Sequence, residues 1–145
     1  MNCFERIIRS FEYIEKNLKE KVSLIEIAGQ SFFSPYHFHR VFYAITGETV
    51  GDYIRKRRLT EASYELINTN KNIIEIALDY QYQSHEAFIR SFKRIYGISP
   101  GQYRKNGKTI ALFEKKPMTI EKLLTLKEQT SMQPKIITID EFKVV

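Results

Sequence analysis

Two arginines fifty positions apart, Arg40 and Arg90, sit in matching surroundings: each lies midway between two phenylalanines, Phe38 and Phe42 or Phe88 and Phe92. On a helix the two phenylalanines share one face, and the arginine between them points about 200° away. A guanidinium offers a planar fork of donors that matches paired acceptors, such as guanine O6 and N7 or two phosphate oxygens. Around it, segment 34–46 turns Tyr36, His39, Arg40 and Tyr43 outward, opposite Phe38, Val41, Phe42 and Ile45. Segment 84–96 turns out His85, Glu86, Ile89, Arg90 and Lys93, opposite Phe88, Phe92 and Ile95. Helix ends of this kind fit the major groove, about 12 Å wide. There Ile89 or Ala87 can meet a thymine methyl, and Glu86 can accept from cytosine N4 or bond its own helix N-terminus. A single amphipathic helix with these residues would ordinarily be a plain solvated face. An outward arginine at the same register in both copies is something packing alone does not require.

Other charged residues suit phosphate. Arg94, Arg104 and Lys105 are candidates, together with the backbone amides of helices starting near Thr49 and Ser99. Ser34, Tyr43, Ser84 and Lys93 complete the phosphate set. The run Arg55-Lys56-Arg57-Arg58 covers all sides of a helix at about 100° per residue, so one or two of its members are expected to be structural. Catalytic and metal chemistry find no footing. His37 and His39 lie about 200° apart on a helix and cannot chelate together. Cys3 and His85 lack the spacing of a thiolate or zinc motif, and the glycines form neither a dinucleotide loop nor a phosphate loop. The expectation is a non-enzyme with no metal and no cofactor.

The elements that must position these residues are short helices. Phe4, Ile7, Ile8, Phe11, Ile14 and Leu18 form one apolar stripe, with Asn2 and Glu5 spaced as a capping box. Ser23 with Glu26 opens a second helix, and Ser34-Pro35 opens a third that Gly47 stops. Thr49 starts a longer helix through about Ile67, Asn72 with Glu75 caps the next, and Ser84 opens one that Gly97 stops. Ser99-Pro100 opens a last turn ending near Gly107. A slide of 50 superposes Ser34 on Ser84, Phe38 on Phe88, Arg40 on Arg90, Phe42 on Phe92, Gly47 on Gly97, Gly51 on Gly101 and Tyr53 on Tyr103. Upstream a slide of 49 aligns Glu26-Ile27-Ala28 with Glu75-Ile76-Ala77, so the second copy carries one extra turn residue. One supersecondary unit is used twice. The expected fold is all-α: two helix-turn-helix subdomains, about seven helices, joined by a linker helix, with a short non-helical C-terminal tail.

The domain division expected is 1–106 for the tandem module and 107–145 for a linker plus the first strand of a truncated C-terminal domain. The tail holds Pro117, Pro134 and the β-branched run Lys135-Ile136-Ile137-Thr138-Ile139. The chain has 145 residues, 43% hydrophobic, with 23 Lys+Arg against 17 Asp+Glu and a net charge of +6. That balance favours an anionic partner, nucleic acid before membrane. A single cysteine excludes an intramolecular disulfide. With no evident signal peptide or apolar span, the cytoplasm is the expected location and no membrane is involved.

These residues resemble a known family. Ile76-Ala77, Ser84, Phe88, Arg90, Phe92-Lys93, Gly97, Ser99-Pro100 and Tyr103-Arg104 are similar to the motif of AraC/XylS-type transcription regulators. Tyr53-Ile54-Arg55, Arg57-Arg58-Leu59 and Ala62 look like that family's linker helix. The resemblance covers about residues 4–106. It departs at Gln81-Tyr82, where Gly-Phe is commoner. It implies two three-helix subdomains whose recognition helices enter successive major grooves about 34 Å apart. Bending the duplex to suit would cost of order 1–6 kcal/mol. Base contact is implied for Tyr36, His39 and Arg40 in the first unit, and for His85, Glu86 and Arg90 in the second.

The resemblance further implies a GyrI-like effector domain beginning in residues 132–145, so a small-molecule effector would act only through a missing C-terminal domain. The expected protein is a transcription activator of this family that binds double-stranded DNA as a monomer, with RNA polymerase as a further partner. The alternative is a non-enzymatic adaptor whose outward helix faces dock polymerase or another protein.

Overall fold

The computed structural model describes residues 2–107 and Leu112, and the expected linker and strand over 107–145 otherwise lie outside the described residues. Seven helices and no strand occur among the described residues. They fall into two units: one takes the residues up to Asn17 and Val22–Ile54, and the other takes Leu18–Lys21 and the described residues from Arg55 on.

In the first unit, α1 (Cys3–Lys16) starts at Asn2, whose side chain accepts from the Glu5 amide at 2.9 Å while Glu5 Oε2 accepts from the Asn2 amide at 3.2 Å. Both halves of the expected capping box are therefore made. The helix buries Ile7, Phe11 and Ile14. It stops before Leu18, because Asn17 caps it, with its amide donating to the Ile14 carbonyl and its side chain to that of Tyr13. Leu18 is buried, but from beyond the helix rather than as its last stripe position.

Helix α2 (Leu24–Gln30) is capped by Ser23, and α3 (Pro35–Thr46) by Ser34 with Pro35 at its first position. Gly47 ends α3 in the left-handed conformation at φ 77, a cap that glycine adopts without a Cβ clash. The core is aromatic: Phe11 stacks on Phe42 at 5.1 Å, and Tyr53 meets the Phe42 ring edge-on at 5.4 Å. Between α2 and α3 the exposed Phe32 takes φ 60. The turn is fastened from α1, where Arg6 donates to the carbonyls of Ser31 (2.5 Å) and Phe32 (2.6 Å) and lies over the Phe33 ring.

Helix α4 (Val50–Asn68) opens at Thr49, whose hydroxyl oxygen accepts from the Asp52 amide at 3.1 Å. Its residues through Ile54 belong to the first unit, and those from Arg55 to the second, where Leu59, Ala62 and Leu66 are buried. There α5 (Ile73–Asp79), α6 (His85–Tyr96) and α7 (Pro100–Asn106) repeat the pattern, capped by Asn72, Ser84 and Ser99. Phe92 lies at the aromatic centre, 4.7 Å from Tyr96, 5.8 Å from Phe88 and 5.9 Å from Tyr103. Residues 80–84 separate α5 from α6 where 31–34 separate α2 from α3, so the extra turn residue falls where the two slides place it. Gln81, the departure from the family pattern, carries φ 69, a conformation a glycine would take freely. Its side chain offsets part of that cost by donating to the Lys19 carbonyl at 2.7 Å.

A carboxylate network braces this unit. Glu65 accepts from Tyr80 and pairs with Lys19 and Lys71, each at 3.2 Å, while Lys71 also reaches Asp79. Burial alone would raise the Glu65 pKa, but hydrogen bonds from Tyr80, Lys19 and Lys71 outweigh it and hold the carboxyl below the usual range. Burial and the same carboxylate drive the Tyr80 phenol strongly upward, so it stays a donor.

Candidate nucleic-acid interface

Each unit presents one twelve-residue helix, α3 or α6, begun by a capping serine and ended by a left-handed glycine. Matched ends fix the register, and the register carries the candidate residues to the outer face. On α3, Tyr36 and Tyr43 are exposed while His39 and Arg40 are half-buried. Arg40 Nη1 donates to the Tyr36 hydroxyl at 3.1 Å, and its guanidinium lies 5.8 Å from the centre of the Tyr36 ring. On α6, Glu86, Arg90, Lys93 and Arg94 are exposed and His85 is half-buried. Glu86 lies in the first turn, where a carboxylate favours the helix dipole, while Lys93 and Arg94 lie in the last. Opposite these faces, Phe38, Phe42, Phe88 and Phe92 are fully buried.

The serine and threonine candidates are all caps. Ser34, Ser84 and Ser99 accept from the amides of His37, Ala87 and Gln102 at 3.1–3.2 Å, and Thr49 does the same for Asp52. A capping oxygen used as acceptor still has its own O–H to donate, so a cap and a phosphate contact are compatible.

The arginines divide sharply. Of the run at 55–58, Arg55 is exposed and Lys56 half-buried, but Arg57 is 3% exposed and pairs with Glu61 at 3.2 Å. Arg58 donates to the carbonyls of Leu18 and Glu20, both at 2.7 Å, and burial lowers its pKa. Arg104, expected on a phosphate, directs Nε to the Leu66 carbonyl at 2.8 Å and Nη2 to that of Thr69 at 3.3 Å. Arg58 and Arg104 thus hold two carbonyls each, just past α1 and across the end of α4. The sequence called for one or two structural members of the run at 55–58 without naming their partners. It missed the carbonyl contacts of Arg104 and Arg6, because a long side chain's reach to a remote carbonyl leaves no spacing pattern. Lys105 remains exposed. Among the described residues no cluster of potential metal ligands occurs, and no helix is long and apolar enough to cross a membrane.

Tandem helix-turn-helix units with paired, capped, arginine-bearing helices define a class of DNA-binding domain. Comparison with known proteins agrees. Residues 17–106 match the family described as "Helix-turn-helix domain", and the chain belongs to that family. It is 46% identical over 96 residues to the HTH-type transcriptional regulator YbfP of Bacillus subtilis, covering 66% of this chain and 32% of that protein. It is 47% identical over 92 residues to the HTH-type transcriptional activator AarP of Providencia stuartii, covering 63% of this chain and 68% of that one. The fold is that of an AraC-type DNA-binding domain. A Chromobacterium violaceum regulator of that type superposes with a TM-score of 0.67 at 24% identity, over 70% of this chain and 91% of that one. The chain therefore spans about a third of the Bacillus relative and about two thirds of the Providencia one.

Proposed function

We propose that this chain is a non-enzymatic, sequence-specific DNA-binding transcription regulator that lays α3 and α6 in successive major grooves. Tyr36, His39 and Arg40 read bases from α3, and His85, Glu86 and Arg90 read them from α6. Ser34, Tyr43, Thr49, Ser84, Lys93, Arg94, Ser99 and Lys105 hold phosphates, while Arg104 supports the fold. The observation that carries this reading is the recurrence of an arginine at one register of two identically capped helices, Arg40 and Arg90. The outward residues around the two arginines differ, so the two helices read different bases and the site is asymmetric, as suits a monomer.

Activation of transcription is proposed by likeness to the Providencia protein, whose name records that role. We further propose contact with RNA polymerase, a cytoplasmic location, and a small-molecule effector acting through a GyrI-like domain that residues 132–145 begin. Selection from random duplexes, followed by titration on the selected site, tests the core of this reading. Arg40→Ala and Arg90→Ala are each expected to cost about 1–3 kcal/mol on that site. Binding should weaken steeply with salt, by about 0.9 in log–log slope per phosphate neutralised. Affinity unchanged in both variants, or weak binding with little salt dependence, overturns it and favours the protein-docking adaptor.

A further inference from the structure

The two arginines are not held alike. In α3, Tyr36 stands one turn before Arg40 and accepts its Nη1–H at 3.1 Å, with the ring beneath the guanidinium at 5.8 Å. The same register of α6 is filled by Glu86, one turn before Arg90. Both are exposed, and no ion pair joins them. The turn leading into α3 is fastened as well, by Arg6 on the carbonyls of Ser31 and Phe32.

We propose that Tyr36, besides the base contact proposed for it, is a positioning residue for Arg40, and that this makes the first unit the more stringent of the two readers. The inference rests on the DNA reading above and says how that reading is divided between the helices. A free arginine must freeze a long chain of rotors when it meets a base, and its flexibility lets it settle on a neighbouring acceptor instead. Arg40 has part of that freedom removed beforehand. A guanidinium has five N–H donors in a planar fork, and the phenol takes one of them while fixing the plane that meets the O6 and N7 of guanine. A base lacking that acceptor pair meets a donor that cannot easily turn away, and the mismatch costs more. Arg90 adapts, because Glu86, one turn before it, makes no bond to its guanidinium. The second unit therefore contributes attachment with looser selection at the base that Arg90 reads.

The test uses the full chain on its selected duplex and on duplexes substituted at single base pairs. Arg40→Ala and Arg90→Ala first locate the pair each arginine reads, as the position whose preference disappears. Tyr36→Phe keeps the ring and removes the hydroxyl. It is expected to reduce discrimination at the Arg40 position by about three- to tenfold, the worth of one hydrogen bond and its ordering. Discrimination at the Arg90 position and the salt slope should stay as they were. Glu86→Tyr should raise discrimination at the Arg90 position. Preference at the Arg40 position unchanged by Tyr36→Phe, or falling equally at both positions, overturns the inference while leaving the DNA reading intact. Preferences untouched by Arg40→Ala itself overturn the reading of α3 and the inference with it.

Discussion

Replacing Arg104 by alanine separates a structural arginine from a DNA-binding one. The side chain directs Nε to the Leu66 carbonyl at 2.8 Å and Nη2 to the Thr69 carbonyl at 3.3 Å. A hydrogen bond from a charged donor contributes about 1.5–3 kcal/mol, and the longer of these two belongs at or below the bottom of that range. A cation at a helix C-terminus adds about 0.3–1 kcal/mol. The residue is half-buried, so water can partly replace it once it is gone. Together these give a loss of about 2–3 kcal/mol. With a urea dependence of about 1–3 kcal/mol per molar for a small protein, the unfolding midpoint should fall by about 0.7–3 M. Urea titration followed by circular dichroism reads this directly. Arg104→Lys should recover less than half, because an ammonium cannot span two carbonyls as a planar fork does. The salt slope of DNA binding should not change, whereas Lys105→Ala should reduce it by about 0.9. A normal midpoint combined with a reduced slope in Arg104→Ala would refute the assignment and return the residue to the phosphate contacts.

Further outcomes follow from backbone and charge. Gly97 holds φ 74 with nothing within 4 Å of an added Cβ, so Gly97→Ala should cost about 1–2 kcal/mol from backbone strain alone. Gly101 lies within α7, and its added Cβ would meet Ile73 Cδ1 at an ordinary 3.8 Å, so Gly101→Ala should be neutral or stabilising by up to about 1 kcal/mol. Urea midpoints of the two variants check the contrast, and equal losses would contradict it. Because the folded Glu65 pKa lies below its unfolded value, its contribution is fully present above the unfolded pKa, about 4.3. It disappears as pH falls through the folded value. Glu65→Gln should be less stable than the parent at neutral pH, and the gap should close on acidification. A gap independent of pH would show that the ionised carboxylate is not what matters.

Caps and stops were legible because they depend on neighbours in sequence. Asn2, Ser34, Ser84, Ser99, Gly47 and Gly97 do in space what their spacing announces. The offset between copies was readable for the same reason. Partner choice was not. Within Arg55-Lys56-Arg57-Arg58 the sequence required that some side chains turn inward, but the choice of Arg58 depended on carbonyls some forty residues away. The shared role of Arg58 and Arg104 also escaped the slide of 50, which sets Arg104 against Ile54. A guanidinium on a long stem can reach its target from more than one register, so the role recurs while the alignment shifts. The Tyr36–Arg40 pair stood at a spacing of four that permits contact, yet Glu86–Arg90 has the same spacing without an ion pair.

The second unit borrows Leu18–Lys21, four residues that precede most of the first unit in the chain. Their carbonyls receive Arg58 and Gln81, and Lys19 pairs with Glu65. A protein that looks like two interchangeable cassettes is therefore interlaced. A recombination breakpoint inside α4 would give the downstream half a new neighbour but leave Arg58 and Gln81 facing a foreign sequence. Backbone carbonyls are indifferent to side-chain identity, so such a chimera keeps those three bonds if the incoming loop has the same length and path. Lys19 and the buried Leu18 are the exceptions. Loop length, with one leucine and one lysine, is thus the compatibility rule for exchanging readers between relatives.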